Sequence, residues 1–239
     1  MRNDTSTVEI KKDELKRLIL EGRNISFEEL KCNKSDLSFN GLENRLKECL
    51  NIDSLNKDIL KTLELYSNSN GYNNATLSLS DNNNFLGIDM VRFGLDLNIL
   101  NDRRTLDNMS ILKRLNEVMN MFKQYYTYEK NEGSLRKKVE LIPKKAFREA
   151  IANALVHTDY DIKAHINISM HCDCIEIVSI GELPKGISKE EYIRGGISIL
   201  RNPIIGMVFY RLNIIEKFGT GIKRIIECYK EVLLSQNLK

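Results

Sequence analysis

Glu149, Asn153 and His157 stand four positions apart in the run REAIANALVHTDY, Arg148 to Tyr160. Four residues carry an α-helix only about 40° past a full turn, so in a helix these three side chains share one face. Phe147, Ala150, Ile151, Ala154 and Leu155 fall opposite and form the apolar stripe that packs on a core. Glu149 and Asn153 are therefore expected to look outward, to water or a ligand. A carboxylate takes a proton from water, and an amide oxygen one turn away is a ligand for a hard cation such as magnesium. That combination suits phosphate chemistry. By spacing alone it equally describes a solvated helix face.

Gly219-Thr220-Gly221 precedes a second apolar-periodic segment. Glycines there either form a helix-entry turn or let main-chain amides approach an anion. Other chemistries find less support. His171-Cys172-Asp173-Cys174 has metal-ligand residue types but no second pair to complete a four-ligand zinc site, so a tight turn between strands is the expectation. No serine sits in a G-x-S-x-G elbow, and the three histidines fall close together between His157 and His171. No G-x-x-x-x-G-K-[ST] run exists, which excludes a helicase motor.

With 239 residues, 42% of them apolar and 29% charged, the chain has the composition of an ordinary globular protein. Lys and Arg number 36 against 33 Asp and Glu, a net charge of +3 that does not argue for nucleic acid by itself. Arg136, Lys137, Lys138, Lys144, Lys145 and Arg148 form a local basic cluster, either a solvated surface or a contact for DNA. Five scattered cysteines do not make a disulfide framework. No leader pattern is apparent, and no apolar run approaches the roughly eighteen residues of a membrane span. A cytoplasmic protein with no membrane partner is the expectation.

Periodicity predicts helices at Glu14–Glu21, Leu42–Leu50, Leu55–Tyr66, Asp107–Tyr126, through Glu149 to His157, at Ile204–Leu212 and at Gly221–Leu234. Ser26-Phe27-Glu28-Glu29 offers a capping box for a short helix. Alternation predicts strands in TLSLS and FLGIDMVRF between Ala75 and Phe93, at Leu135–Ile142, and in a hairpin of Ala164–Met170 with Cys174–Ile180. The stretch between Tyr126 and Leu135 reads as a basic loop, and the asparagine runs at Ser67–Gly71 and Asp81–Asn84 as turns.

From Leu141 on, the order is strand, helix, hairpin, glycine loop, helix, glycine pair, helix, which is an α/β sandwich with its loops gathered on one side. The blocks REAIANALVHTDY, EIVSIGELPKGI and RNPIIGMVFYRLNIIEKFGTGIKRI resemble the RecG-like C-terminal region of bacterial transcriptional regulators of the Schlafen/AlbA type, a divergent branch of the GHKL, or Bergerat-fold, ATP-binding superfamily. The resemblance runs over about residues 50–235. It implies an α+β fold, a two-layer α/β sandwich of GHKL type, preceded by a smaller helical or mixed region. The implied division is a helical remnant over 1–50, resembling the end of an AlbA-like domain, a mixed α/β subdomain over 51–130, and an ATP-binding domain over 131–239.

The resemblance also implies roles. Glu149 activates the attacking water, and Asn153 holds magnesium on the phosphates of ATP. His157 and Asp159 extend the helix motif, and Ser179 to Pro184, with Gly181, lies near the base. Arg201 and Asn202 sit in the segment that covers the nucleotide, and Gly219, Thr220 and Gly221 approach the phosphates. Ile180 and Glu182 depart from the branch's proline and second glycine, and the superfamily's adenine-binding aspartate has no counterpart in SIGELP. Two expectations follow. One is a regulatory module that binds Mg-ATP and hydrolyses it slowly at most, with DNA reached through an adjacent domain and a homodimer as the implied assembly. The other is a non-enzymatic scaffold for DNA or protein with a degenerate nucleotide site.

Overall fold

Side-chain caps and buried alternation place most of the elements. The computed structural model describes residues 2–3, 6–7, 9–10, 12–23, 25–132, 135–183, 186–194, 196, 199–216 and 219–237. It opens with paired short strands β1 (Arg2–Asn3) and β2 (Ser6–Thr7), then α1 (Lys12–Gly22). The Ser26 amide donates to Glu29 Oε2 at 2.6 Å and fixes a 3-10 turn, Phe27–Glu29. α2 (Asn40–Leu50) stops at Asn51 in the left-handed conformation, and α3 (Lys57–Thr62) starts where Asn56 Oδ1 accepts the amides of Asp58 and Ile59. β3 (Tyr66–Ser67) and β4 (Gly71–Tyr72) flank the first asparagine turn.

α4 (Asn74–Leu79) replaces the strand expected for TLSLS. Asn73 Oδ1 accepts the Thr76 amide and caps it, and residues Ala75 to Ser80 are all buried. With every side chain covered, Leu/Ser alternation no longer marks an inside and an outside. β5 (Ile88–Phe93) is as expected, whereas its neighbour β6 (Leu100–Leu106, LNDRRTL) is too polar to read as a strand. α5 (Ile111–Tyr126) starts where Ser110 Oγ accepts the Lys113 amide. β7 (Thr127–Glu132) and β8 (Leu135–Glu140) form an exposed ribbon where sequence reading placed a loop and one strand. α6 (Lys144–His157) follows Pro143, and β9 (Ile166–Met170) and β10 (Ile175–Val178) form the expected hairpin around Cys172-Asp173. The short α7 (Lys189–Arg194), α8 (Pro203–Arg211) and α9 (Gly221–Asn237) complete the described elements.

The main sheet has the order β10-β9-β5-β6, with β9 and β5 parallel and the outer pairs antiparallel. Ile88 and Met90 of β5 and Ile166, Ile168 and Met170 of β9 point to one face. There they join Ile111, Val118 and Phe122 of α5 and Ile151 and Leu155 of α6 in one buried cluster. Phe122 stacks on Phe147 of α6 with ring centroids 4.4 Å apart. The opposite face is polar: Arg103 pairs with Asp89 at 2.7 Å, and Thr105 donates to Asp89 at 3.0 Å. The fold is thus α+β with helices on one face of the sheet. Residues 51–130 and 131–239 contribute strands to this same sheet, and the buried cluster extends from Leu42 to Ile214. No described helix is long and apolar enough to cross a membrane.

Candidate functional site

α6 presents Glu149, Asn153 and His157 along one face, as its period requires; Glu149 is buried there, and Asn153 and His157 are half-buried. The start of α9 packs directly on it. Glu149 is only 5% exposed, which corrects the expectation that it looks outward to water. The cause is Gly221: a Cβ at this position would lie 2.5 Å from Glu149 Oε1 and 2.8 Å from Asn153 Nδ2. Glycine lets the main chain of α9 come this close without displacing the ends of those two side chains. Gly219 has φ +58, a second position where glycine is favoured, and its carbonyl accepts the Gly196 amide at 3.0 Å.

Glu149, Asn153, His157, Gly219, Thr220 and Gly221 line one cavity of 60 Å³, walled on its apolar side by residues that include Ile187, Tyr192 and Leu200. Among the described residues, neither the Glu149 nor the Asn153 side chain makes a hydrogen bond. The carboxylate has one ion pair, Arg224 Nη1 at 3.8 Å, and Arg224 also pairs through Nη2 with Glu216. Burial raises the proton affinity of Glu149, while Arg224 and Arg148 act against the rise. Burial, with Arg201 nearby, lowers that of His157 and favours its neutral form.

The remaining motif residues gather elsewhere, around the C-terminal end of α6. Asn202 is buried, and its Nδ2 donates at 2.8 Å to both Val156 O and Thr158 O, closing the last turn of the helix. Arg201 donates to Asp159 Oδ2 at 3.1 Å and to Glu182 O at 2.7 Å, while the Asp159 amide donates to Ile180 O at 2.9 Å. Gly181, at φ +109, sits where a Cβ would approach the Arg201 guanidinium to 3.1 Å and Asp159 Cβ to 3.2 Å. These four residues knot the loop after β10 to α6 and α8. They do not line the cavity that holds Glu149. Pro184 and Lys185 of the same loop lie outside the described residues.

Sequence reading missed two contributors. Arg224 falls in the first turn of α9, three positions after Gly221, and that spacing was the available signal. Glu28 is buried and accepts the amides of Ile204 at 2.6 Å and Ile205 at 3.0 Å, so it caps α8 from 176 residues away. Nothing local to Glu28 announces that contact beyond its place in a capping box.

Residues 163–238 match the family model HATPase_c_4, described as "Putative ATP-dependent DNA helicase recG C-terminal". This part of the chain is similar to an ATPase-like domain named for RecG. The match includes the β9–β10 hairpin, the SIGELP loop and Gly219-Thr220-Gly221, and begins after α6. Among curated proteins none is significantly similar to the chain. A solved structure, that of the DIP2311 protein from Corynebacterium diphtheriae, superposes with a TM-score of 0.71 at 17% identity, over 95% of this chain and 47% of that one. The likeness is one of fold, and the chain spans about half of that protein's length.

Proposed function

We propose that the α6–α9 junction is a nucleotide site, and that the chain is an ATP-binding regulatory module acting in control of transcription, with DNA as its partner. The observation that carries this reading is the contact at Gly221. It brings a carboxylate, an amide and the amide-bearing start of a 17-residue helix to one point. The donor set fits a polyphosphate with magnesium. The first amides of α9 and Thr220 suit anionic oxygens, and the Asn153 side-chain oxygen suits a hard cation. Bound magnesium would neutralise charge on the phosphates. Glu149, more basic than an exposed carboxylate, is placed to hold a water and take its proton. His157, kept neutral, donates or accepts a hydrogen bond at the same wall.

Space does not fit in this conformation. Sites for drug-sized ligands occupy about 300–1,000 Å³, against the 60 Å³ found here. Binding therefore requires the cavity to widen, and withdrawal of the start of α9 from α6 is the motion that would expose Glu149 and Asn153 together. A site that must open, with its base held by Arg224, hydrolyses slowly at most.

The test is calorimetric titration of ATP and magnesium into the wild type and Asn153→Ala. Saturable, magnesium-dependent heat in the wild type, weakened by about tenfold or more in the variant, supports the reading. No heat from a protein shown to be folded would sink it. A scaffold would remain, and the exposed ribbon bearing Arg136 and Lys138 would be the first surface to test for DNA contact.

A further inference from the structure

Arg224 is the one described cation paired with Glu149, and its geometry is that of a latch. Its side chain is 32% exposed, so the guanidinium spans from the cavity to solvent. Inward, Nη1 stands 3.8 Å from Glu149 Oε2, beyond hydrogen-bond range, in a pair without directional bonding. Outward, Nη2 binds Glu216, an exposed carboxylate on the segment that enters α9. Two carboxylates thus share one cation. Asn153 and Gly221 lie beside the pair, and Arg148 adds a more distant positive charge that favours the Glu149 carboxylate. Lys223, on the same turn, directs its ammonium towards Gly196, 3.8 Å from where a Cβ would be.

A motion that widens the cavity on the α9 side draws Gly221 away from Glu149. Arg224, three residues along the same turn, moves with it, and the long inner contact breaks first. The structure assigns to Arg224 a second anion: the guanidinium that bridges Glu149 and Glu216 in the closed junction takes a phosphate of a polyphosphate ligand when α9 withdraws. This rests on the reading of the junction as a polyphosphate site, and adds to it a specific cation and an exchange. The planar fork of arginine matches phosphate oxygens in a bidentate way that a lysine does not reproduce.

The experiment uses sodium pyrophosphate, which has no base or sugar, titrated calorimetrically into the wild type, Arg224→Gln, Arg224→Lys and Glu216→Gln, with ATP and magnesium as a parallel arm. Circular dichroism checks that each variant is folded. The expected result is pyrophosphate affinity weakened by about tenfold or more in Arg224→Gln, partly restored in Arg224→Lys, and improved by about threefold in Glu216→Gln, which removes a competitor. Equal affinity in wild type and Arg224→Gln, weaker binding in Glu216→Gln, or no binding of pyrophosphate to the wild type would each overturn the assignment. The two readings fail separately. Arg224-dependent pyrophosphate binding without ATP binding sinks the nucleotide site and keeps the latch. ATP binding indifferent to Arg224→Gln does the reverse.

Discussion

The middle of α6 and its C-terminal end treat polar side chains in opposite ways. At the end, Asn202 fills two carbonyls, Arg201 joins Asp159 to the Glu182 carbonyl, and Gly181 turns where a Cβ would crowd them. In the middle, the Glu149 and Asn153 side chains are without hydrogen bonds among the described residues, face a small cavity, and are approached by the bare main chain of Gly221. Buried polar groups normally find partners. Where they do, they hold the fold; Glu149 and the half-buried Asn153, which still reach the cavity, have capacity left for water or a ligand. The contrast divides one set of motif residues by physical role, which their shared place in the sequence pattern does not.

The largest expected effect tests the satisfied side through its remote member, Glu28, whose carboxyl is pushed up to about 7 chiefly by burial. A carboxyl raised in the fold holds its proton more tightly folded than unfolded. Its contribution is complete below the ordinary value of 4.5 and is lost as pH rises through about 7. Urea denaturation across this range should show stability falling by on the order of 3 kcal/mol from this group, and Glu28→Gln should flatten the slope. A slope unchanged in the variant would remove Glu28 from the account.

Next, Asn202→Ala strips both carbonyls of their side-chain donor and should cost about 2 kcal/mol in the same assay. If the cost falls within about 0.5 kcal/mol, the end of α6 is not held as described. Gly221→Ala places a methyl group against Glu149 and Asn153. Because those side-chain ends can swing aside, it should cost no more than about 1 kcal/mol, with faster amide hydrogen exchange at the start of α9. Smallest of all, Asn153→Ala removes a side chain with no described hydrogen bond and should change stability by less than about 0.5 kcal/mol. A large loss of stability would show Asn153 to be part of the frame and erase the contrast.

Sequence alone made the middle of α6 legible as a polar face, because a 3.6-residue period survives any tertiary context. The β9–β10 hairpin and α5 were legible for the same reason, strong local pattern. The burial of Glu149 was not, since it depends on a helix that begins seventy-odd residues later and on the absence of one Cβ at Gly221. TLSLS misled because both faces of α4 are covered. LNDRRTL and TYEKNE escaped because exposed edge and ribbon strands carry polar residues on both faces. The cap that Glu28 places on α8 crosses most of the chain and leaves no local trace.

The parallel pairing at the heart of the sheet has a kinetic consequence. Arg92 and Met170 are partners in the ladder yet lie 78 residues apart, while each outer pair of strands closes over a short connection. Closing so long a loop costs chain entropy before any contact repays it, and topologies of this kind fold slowly. Each hairpin closes over a short connection, whereas the face on which α6 settles is complete only when β9 lies down beside β5. The junction of α6 with α9 is therefore among the last places in the molecule to acquire its shape.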